Sequence, residues 1–516
     1  MRKTNQVNQL RVGVVLSYVN LGISCIIPFL YTPIMLHILG QAEYGLYSLA
    51  NSVISYLTLL SFGFGSTIIR YISKYRAEEN KEAVNRTFGF FLLLYVLLGI
   101  LVFVVGLVVS NNVEPIFHKG LAESEIDKVH VLIIIMSFNT ALSFPNSVFS
   151  SIITSYERYV YRKLIDMIST VVAPIFNLVA LYMGFASVGM SIASTILQIL
   201  MLPLNVIYCF KVLNIKPKFK RIPYSLIKEM LGFSFYVFLA TIVDMLFWST
   251  DKVILGMLAS STAVAIYNVG GTFNNMVISL STSISGVLTP KITGMIAKDV
   301  PREQLTELFV RIGRLQYFVI ALIVSGFSVF GQSFIQLWAG NEYADAYWIA
   351  ILTMFPLCIP LIQNTGLSIV VAQNKHKFRS IVYLIIAIIN AISTYLIVPY
   401  YGGIGAAICS CVAYLVGQGL IMNVYYYRVT GINIPFFWKN IGKISLVPGI
   451  MLALGIVFSH RIALNNWLSF FASVIAYSLI YCVTMYKFVL NRYEKDIVQK
   501  PLQAIIKYIV HEKRNL

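Results

Sequence analysis

Along this chain the apolar residues arrive in blocks of about 20, separated by short polar stretches, the length an α-helix needs to cross a hydrocarbon core about 30 Å thick. The blocks predict fourteen membrane spans, near 12–37, 46–70, 87–109, 129–153, 164–183, 188–210, 230–255, 263–289, 315–337, 348–371, 381–399, 405–427, 444–459 and 467–486. The expected fold is therefore an all-α polytopic membrane protein. The first block runs to about Ile38, well past the 7–15 apolar residues of a signal-peptide core. It is read as an uncleaved first span behind Arg2, Lys3 and Arg11.

Composition agrees: hydrophobic residues make up 58% of the 516 and charged residues only 12%, against roughly a quarter charged in soluble domains. The net charge of +18 would suggest nucleic acid in a soluble protein. Its placement suggests otherwise. With the N-terminus inside, 34 of the 39 Lys and Arg fall in inner segments, the asymmetry expected of cytoplasmic loops. The expectation is a multi-pass protein of the bacterial cytoplasmic (inner) membrane with both termini cytoplasmic, and no nucleic-acid partner. The outer loops carry Glu43, Glu114, Glu123, Glu125, Asp127, Glu342 and Asp345, read as solvated loop residues. The six cysteines have no metal-ligand spacing and read as packing residues.

No stretch outside the spans is long enough for a core of its own. Asp299-Val300-Pro301 reads as a helix start, with Asp299 the cap and Pro301 in the first turn. Leu502, Ile505, Ile506 and Ile509 share a face in the basic tail, predicting an amphipathic helix on the inner leaflet.

Features recur at an offset of 216–218 residues. Leu39-Gly40 matches Leu255-Gly256, Arg158-x-x-Tyr161-Arg162 matches Lys375-x-x-Phe378-Arg379, and Gly184 and Gly189 match Gly402 and Gly405. A polar stripe in the eighth span (Asn268, Thr272, Asn275, Ser279, Thr282, Gly286) falls on one helical face, as do Asn51, Ser55, Thr58 and Gly65 of the second. The expected organisation is two parallel six-helix pseudo-repeats, 1–228 and 229–430, then two appended spans within 431–486 and a basic tail, 487–516. Parallel repeats of this kind occur in alternating-access carriers, with the substrate path between them.

Ionisable groups inside a membrane cost about 2.5–3.5 kcal/mol each at mid-bilayer, which makes them functional candidates. In the seventh span Thr241, Asp244, Trp248 and Asp251 share a helical face, with Lys252 beside them. One reading is a cavity with a proton or ion site and an indole for a sugar ring; the other is a structural Asp–Lys pair. Arg70 ends the second span, and Arg11 and Lys291 lie near the inner mouth. Each could hold a phosphate or act as an inner-surface anchor. The first span adds Ser17, Asn20 and Ser24 before Pro28 and Pro33. Together these residues outline a wet cleft with a largely neutral lining, suited to hydroxyl-rich sugars.

The run Leu39-Gly-Gln-Ala-Glu-Tyr-Gly-Leu-Tyr47, with Gly63-Phe-Gly65, Arg70-Tyr71 and Thr250-Asp-Lys-Val-Ile-Leu-Gly256, resembles the bacterial polysaccharide-biosynthesis and O-antigen repeat-unit flippases. These belong to the multidrug/oligosaccharidyl-lipid/polysaccharide exporter superfamily. The resemblance implies a pair of six-helix lobes around a central cavity and alternating-access export of an undecaprenyl-pyrophosphate-linked oligosaccharide. It also implies work alongside a polysaccharide polymerase and glycosyltransferases for capsule or lipopolysaccharide synthesis. Cavity cations that would hold a pyrophosphate are sparse here: Arg70 and Lys252, with Arg11 and Lys291 at the inner mouth.

The competing reading is a cation-coupled multidrug exporter of the same fold. An enzyme is disfavoured because the histidines are scattered and no large outer loop exists. No Gly-x-x-x-x-Gly-Lys-Ser/Thr loop for ATP occurs either. No cofactor is expected, and coupling to protons or sodium is left open.

Overall fold

The computed structural model describes residues 2–219, 224–286, 289–298, 300–373, 375–459, 466–496 and 499. Its elements are helical, with no strand among the described residues. In chain order they are α1 (Arg2–Leu39), α2 (Gln41–Leu57), α3 (Phe64–Ala77), α4 (Lys81–Asn111), α5 (Val113–Phe117), α6 (Glu123–Ser155), α7 (Tyr159–Tyr182), α8 (Ala186–Ile207), α9 (Tyr224–Trp248) and α10 (Thr250–Leu258). There follow α11 (Ser261–Gly286), α12 (Thr289–Ala297), α13 (Arg302–Trp338), α14 (Ala346–Ile362), α15 (Asn364–Ala372), α16 (His376–Tyr414), the short α17 (Asn423–Tyr425) between two π-helical segments, α18 (Ile434–Ser459) and α19 (Trp467–Phe488).

Polar caps set several starts. The Asn80 side chain accepts from the Ala83 N–H at 2.9 Å, and Asn466 does the same for Ser469. The cap expected at Asp299 lies outside the described residues, and α13 starts after Pro301, which takes the capping position itself. The tail at 502–509 also lies outside them.

Among the described residues, eleven helices are long and apolar enough to cross a membrane, or twelve if the bent pair α14–α15 (46°) is one span. The fourteen expected spans are not reached on that measure, for two physical reasons. The 54 residues Lys377–Thr430 form one uninterrupted stretch, because Gly402 turns the chain within α16 (φ 54°, ψ −139°) without any loop. And α11, with Asn268, Asn274 and Asn275 in one helix, is not among the eleven.

The chain forms two compact units. The first comprises residues 1–269 and 380–410. Here α6 packs along α4, α2, α3 and α8, and α1 packs along α7. Where lipid replaces water outside, such packing rests on close van der Waals contact rather than on the hydrophobic effect. A run of rings fills it: Phe64 against Phe91 (5.9 Å), Tyr95 against Phe144 (5.7 Å), and Phe88 against Phe149 (5.7 Å).

The second unit comprises residues 270–379 and 411–516. Its spine is the 37-residue α13, flanked by α14, α18 and α19. The two appended helices pack around Phe330 of α13 through Met451 of α18 and Phe470, Tyr477 and Tyr481 of α19, and the Tyr481 hydroxyl donates to the Phe318 carbonyl at 3.0 Å. Arg314 grips Glu494 with two nitrogens, at 2.6 and 2.9 Å. That bidentate pair ties the residues after α19 to α13.

Candidate functional site

In the first unit, α9 stops at Trp248 and α10 restarts at Thr250 through Ser249 (φ −113°). The break puts Asp251 in the first turn of α10, where the helix dipole favours a negative charge. Asp251 is 1% exposed. Its Oδ2 accepts from the Tyr267 hydroxyl at 2.5 Å and from Ser410 Oγ at 2.8 Å, and its Oδ1 accepts from Thr394 Oγ1 at 3.3 Å.

These donors come from three segments: the start of α11 and the two arms of α16. Sixteen residues of straight helix would separate Thr394 from Ser410 by about 24 Å. Both reach one carboxylate because the chain reverses at Gly402. Behind Ser410 stands Asn390, whose Nδ2 donates to its hydroxyl at 3.3 Å. The Asn390 carbonyl oxygen is buried and has no partner among the described residues. The result is a carboxylate ringed by oxygens, with one amide oxygen nearby still able to accept.

Lys252 points elsewhere. Its ammonium donates to Asn268 Oδ1 at 3.2 Å, and the Asn268 amide donates to the Tyr44 hydroxyl (2.6 Å) and to Ser48 (3.1 Å). The described ion pairs include none between Asp251 and Lys252. On the facing side, α2 meets the α9–α10 break through Ser55 and Ser249 (2.9 Å) and through Tyr56 and Thr250 (2.5 Å).

Of the expected site residues the structure gathers Asp251, Lys252 and Asn268 into adjoining polar clusters. Asp244 and Asn51 are exposed, and the Asn51 amide donates to the Tyr47 carbonyl on its own helix. The face expected to run from Thr241 to Asp251 ends at Trp248, which is half-buried. Arg70 is exposed, its guanidinium 6.0 Å from the Tyr71 ring centroid. Asn20 is half-buried, and its amide oxygen has no partner among the described residues. The side chains of Arg11 and Lys291 lie outside the described residues. In the second unit, Asn275 and Thr282 of the expected stripe are exposed. The neighbouring face of α11, not anticipated, holds the buried polar contacts: Asn274 to Thr353 (2.6 Å), Ser281 to the Leu361 carbonyl (3.0 Å), and Ser285 from Asn364 (2.8 Å).

Tyr267, Thr394, Ser410 and Asn390 were missed. The available signal was Asn390 and Thr394, four apart in a mostly apolar run.

One end of the first unit is tightly joined. Glu43 accepts from Lys128 (2.6 Å) and from Ser187 Oγ (2.6 Å), and Glu125 accepts from Ser261 Oγ at 2.5 Å. These acids are therefore structural partners rather than solvated loop residues. Gly45 sits so close to α11 that a Cβ there would stand 1.9 Å from the Ser261 carbonyl oxygen, so any other residue would push α2 and α11 apart.

A family model described as polysaccharide biosynthesis protein matches residues 11–296. An uncharacterized membrane protein of Methanocaldococcus jannaschii is 22% identical over 456 residues, 85% of this chain and 88% of that protein. Among solved structures, the lipid II flippase MurJ in an inward closed conformation superposes with a TM-score of 0.71 at 17% identity, covering 93% of this chain and all of that one. An inward-facing multidrug resistance transporter of the MATE family gives 0.60 at 15%, covering 82% and 99%. These two likenesses are of fold.

Proposed function

The chain belongs to the polysaccharide biosynthesis protein family, and from that premise we propose that it is a flippase for a lipid-linked oligosaccharide, driven by a cation that binds at Asp251. The lipid carrier is read as undecaprenyl pyrophosphate, and movement runs from the inner to the outer leaflet of the cytoplasmic membrane by alternating access. The two pseudo-repeats, 1–228 and 229–430, move against one another in this scheme. A polysaccharide polymerase and glycosyltransferases act after and before it.

The observation that carries the coupling is the ring of hydroxyls from α11 and both arms of α16 around one buried carboxylate. A carboxylate out of water is costly unless neutralised by a cation. Occupancy by a proton or sodium ion therefore changes the free energy of holding α10, α11 and α16 together. A ligand whose binding depends on an arrangement of helices biases that arrangement. The joined end at Glu43, Gly45, Glu125 and Ser261 lies, on the charge asymmetry, at the outer face.

The test is a deletion strain complemented by wild type and by Asp251→Asn at matched membrane levels. Without the protein, lipid-linked repeat units should accumulate on the cytoplasmic side; wild type should clear them and Asp251→Asn should not. Full clearance by Asp251→Asn would remove Asp251 from the mechanism. Efflux of cationic dyes with unchanged surface glycan would replace the flippase by the multidrug exporter.

A further inference from the structure

The paired motifs Arg158-x-x-Tyr161-Arg162 and Lys375-x-x-Phe378-Arg379 lie at the starts of α7 and α16, and both build the same device. Tyr161 stacks on Tyr208 at 3.7 Å and 15°. Phe378 stacks on Tyr425 at 4.6 Å and 11°, and Tyr425 stands 217 residues after Tyr208. A π-helical turn begins at the second ring in one copy, Tyr208–Val212, and directly after it in the other, Tyr426–Thr430. Such turns are frequent at functional sites.

At the stacked rings themselves the copies differ by one hydroxyl. Tyr161 Oη donates across to the Leu204 carbonyl at 3.0 Å. The position equivalent to Leu204 is Ile421, and Phe378 has no hydroxyl with which to reach it. A cavity of about 410 Å³ lies there, within the second unit. Phe378, Tyr425, Leu420, Ile421 and Val424 line it together with Arg428.

The lining is fixed at Tyr425, whose hydroxyl donates to the Lys375 carbonyl at 2.7 Å. Lys375 brings a second cation close to the lining, its ammonium 2.8 Å from the carbonyl of Val429, another lining residue. The Arg428 guanidinium is exposed and makes no ion pair or hydrogen bond among the described residues. The lining is almost wholly apolar, and the cationic side chains next to it are Arg428, itself a lining residue, and Lys375, bonded to the Val429 carbonyl.

We propose that the slot bounded by Phe378, Tyr425 and Val424 is a binding site for an anionic phospholipid, an acyl chain lying along the apolar lining and the phosphate at Arg428 and Lys375. Arg is the stronger anchor because its planar fork matches two phosphate oxygens. The site needs no part of the flippase reading.

The full-length protein, purified in detergent and stripped of lipid, is titrated with dioleoyl phosphatidylglycerol and with dioleoyl phosphatidylcholine under native mass spectrometry. Wild type should prefer phosphatidylglycerol, and Arg428→Gln should bind it about fivefold more weakly, the worth of one basic residue near an anionic headgroup. Phe378→Tyr, which restores the hydroxyl of the other copy, should lower retention of phosphatidylglycerol while the melting temperature holds. Equal binding of the two lipids by wild type, or undiminished phosphatidylglycerol binding by both variants, would overturn the assignment. Displacement of phosphatidylglycerol by an equimolar polyprenyl phosphate would also overturn it, giving the slot to the transported lipid.

Discussion

The offset of 217 residues sets Asp251 against Ile34, Tyr267 against Ala50, Thr394 against Asn177, and Ser410 (at 217) against Ala193. Where the later segment has a buried carboxylate ringed by hydroxyls, the earlier one has a butyl group, a methyl, an amide and another methyl. Helices of common pattern thus assemble in this chain with apolar residues at the positions of Asp251 and Tyr267. Ile34 is exposed where Asp251 is buried, so burial of this position, with its cost for an acid, is a feature of the later segment alone. The comparison sets a buried acid in the later segment against an aliphatic residue in the earlier one, and transport by Asp251 variants decides whether that acid serves a bound cation. Helix breaks differ too. The earlier segment is broken after α2, with Phe62 (φ 49°) and Gly63 (φ 65°) both left-handed, whereas α11 runs helical through the matching positions 279–280.

The largest expected effect comes from erasing the asymmetry. Asp251→Ile, the residue of the earlier segment, should lower transport at least about a hundredfold, about 2.7 kcal/mol, within the worth of one hydrogen bond to a charged group. Clearance of lipid-linked repeat units measures it. Near-normal clearance would make the buried acid incidental and the two segments functionally alike. Next is Gly63→Leu, which gives the earlier break the residue at position 280. Gly63 has a left-handed backbone, and a Cβ would stand 2.6 Å from Val237 on α9. Left-handed strain costs about 1–2 kcal/mol before that contact is counted. Thermal melting in detergent should fall, and an unchanged melting point would show the break to be adjustable.

A finer cut is Tyr267→Phe, which removes one of the three hydroxyls and leaves the carboxylate. Hydrogen bonds to charged groups are worth about 1.5–3 kcal/mol. If a cation at Asp251 drives transport, its apparent affinity should therefore shift by about tenfold or more, read from transport rate against proton or sodium concentration. A changed maximal rate at constant affinity would place Tyr267 in the moving contacts rather than at the ion.

Much of the fold was legible because lipid imposes a simple code: apolar length, basic loops and repeated motifs. The paired motifs at Tyr161 and Phe378 were readable as a pair, and their shared stacking follows from that. What the sequence hid is local. No proline or glycine marks the break at Ser249, so Asp244 and Asp251 looked like neighbours on one face. The reversal at Gly402 brings Thr394 and Ser410 together over a turn too tight to look like a loop. And the stripe on α11 was assigned one face from spacing alone, although Asn274 and Asn275 stand side by side in sequence and face different surroundings. Periodicity identifies a polar face but not which neighbour it meets.

The smallest effect separates the two copies of the aromatic clamp. Tyr161→Phe removes the bond to the Leu204 carbonyl and makes the earlier clamp chemically like Phe378–Tyr425. A neutral hydrogen bond contributes about 1 kcal/mol net, so the melting point should fall slightly and transport should hold. The informative readout is lipid retention. If the missing hydroxyl is what leaves room beside Phe378, Tyr161→Phe should raise phospholipid retention, with Lys211, 217 residues before Arg428, supplying the charge. If retention stays at the wild-type level, the slot depends on residues such as Leu420, whose counterpart is Pro203, and the copies differ by more than one oxygen atom.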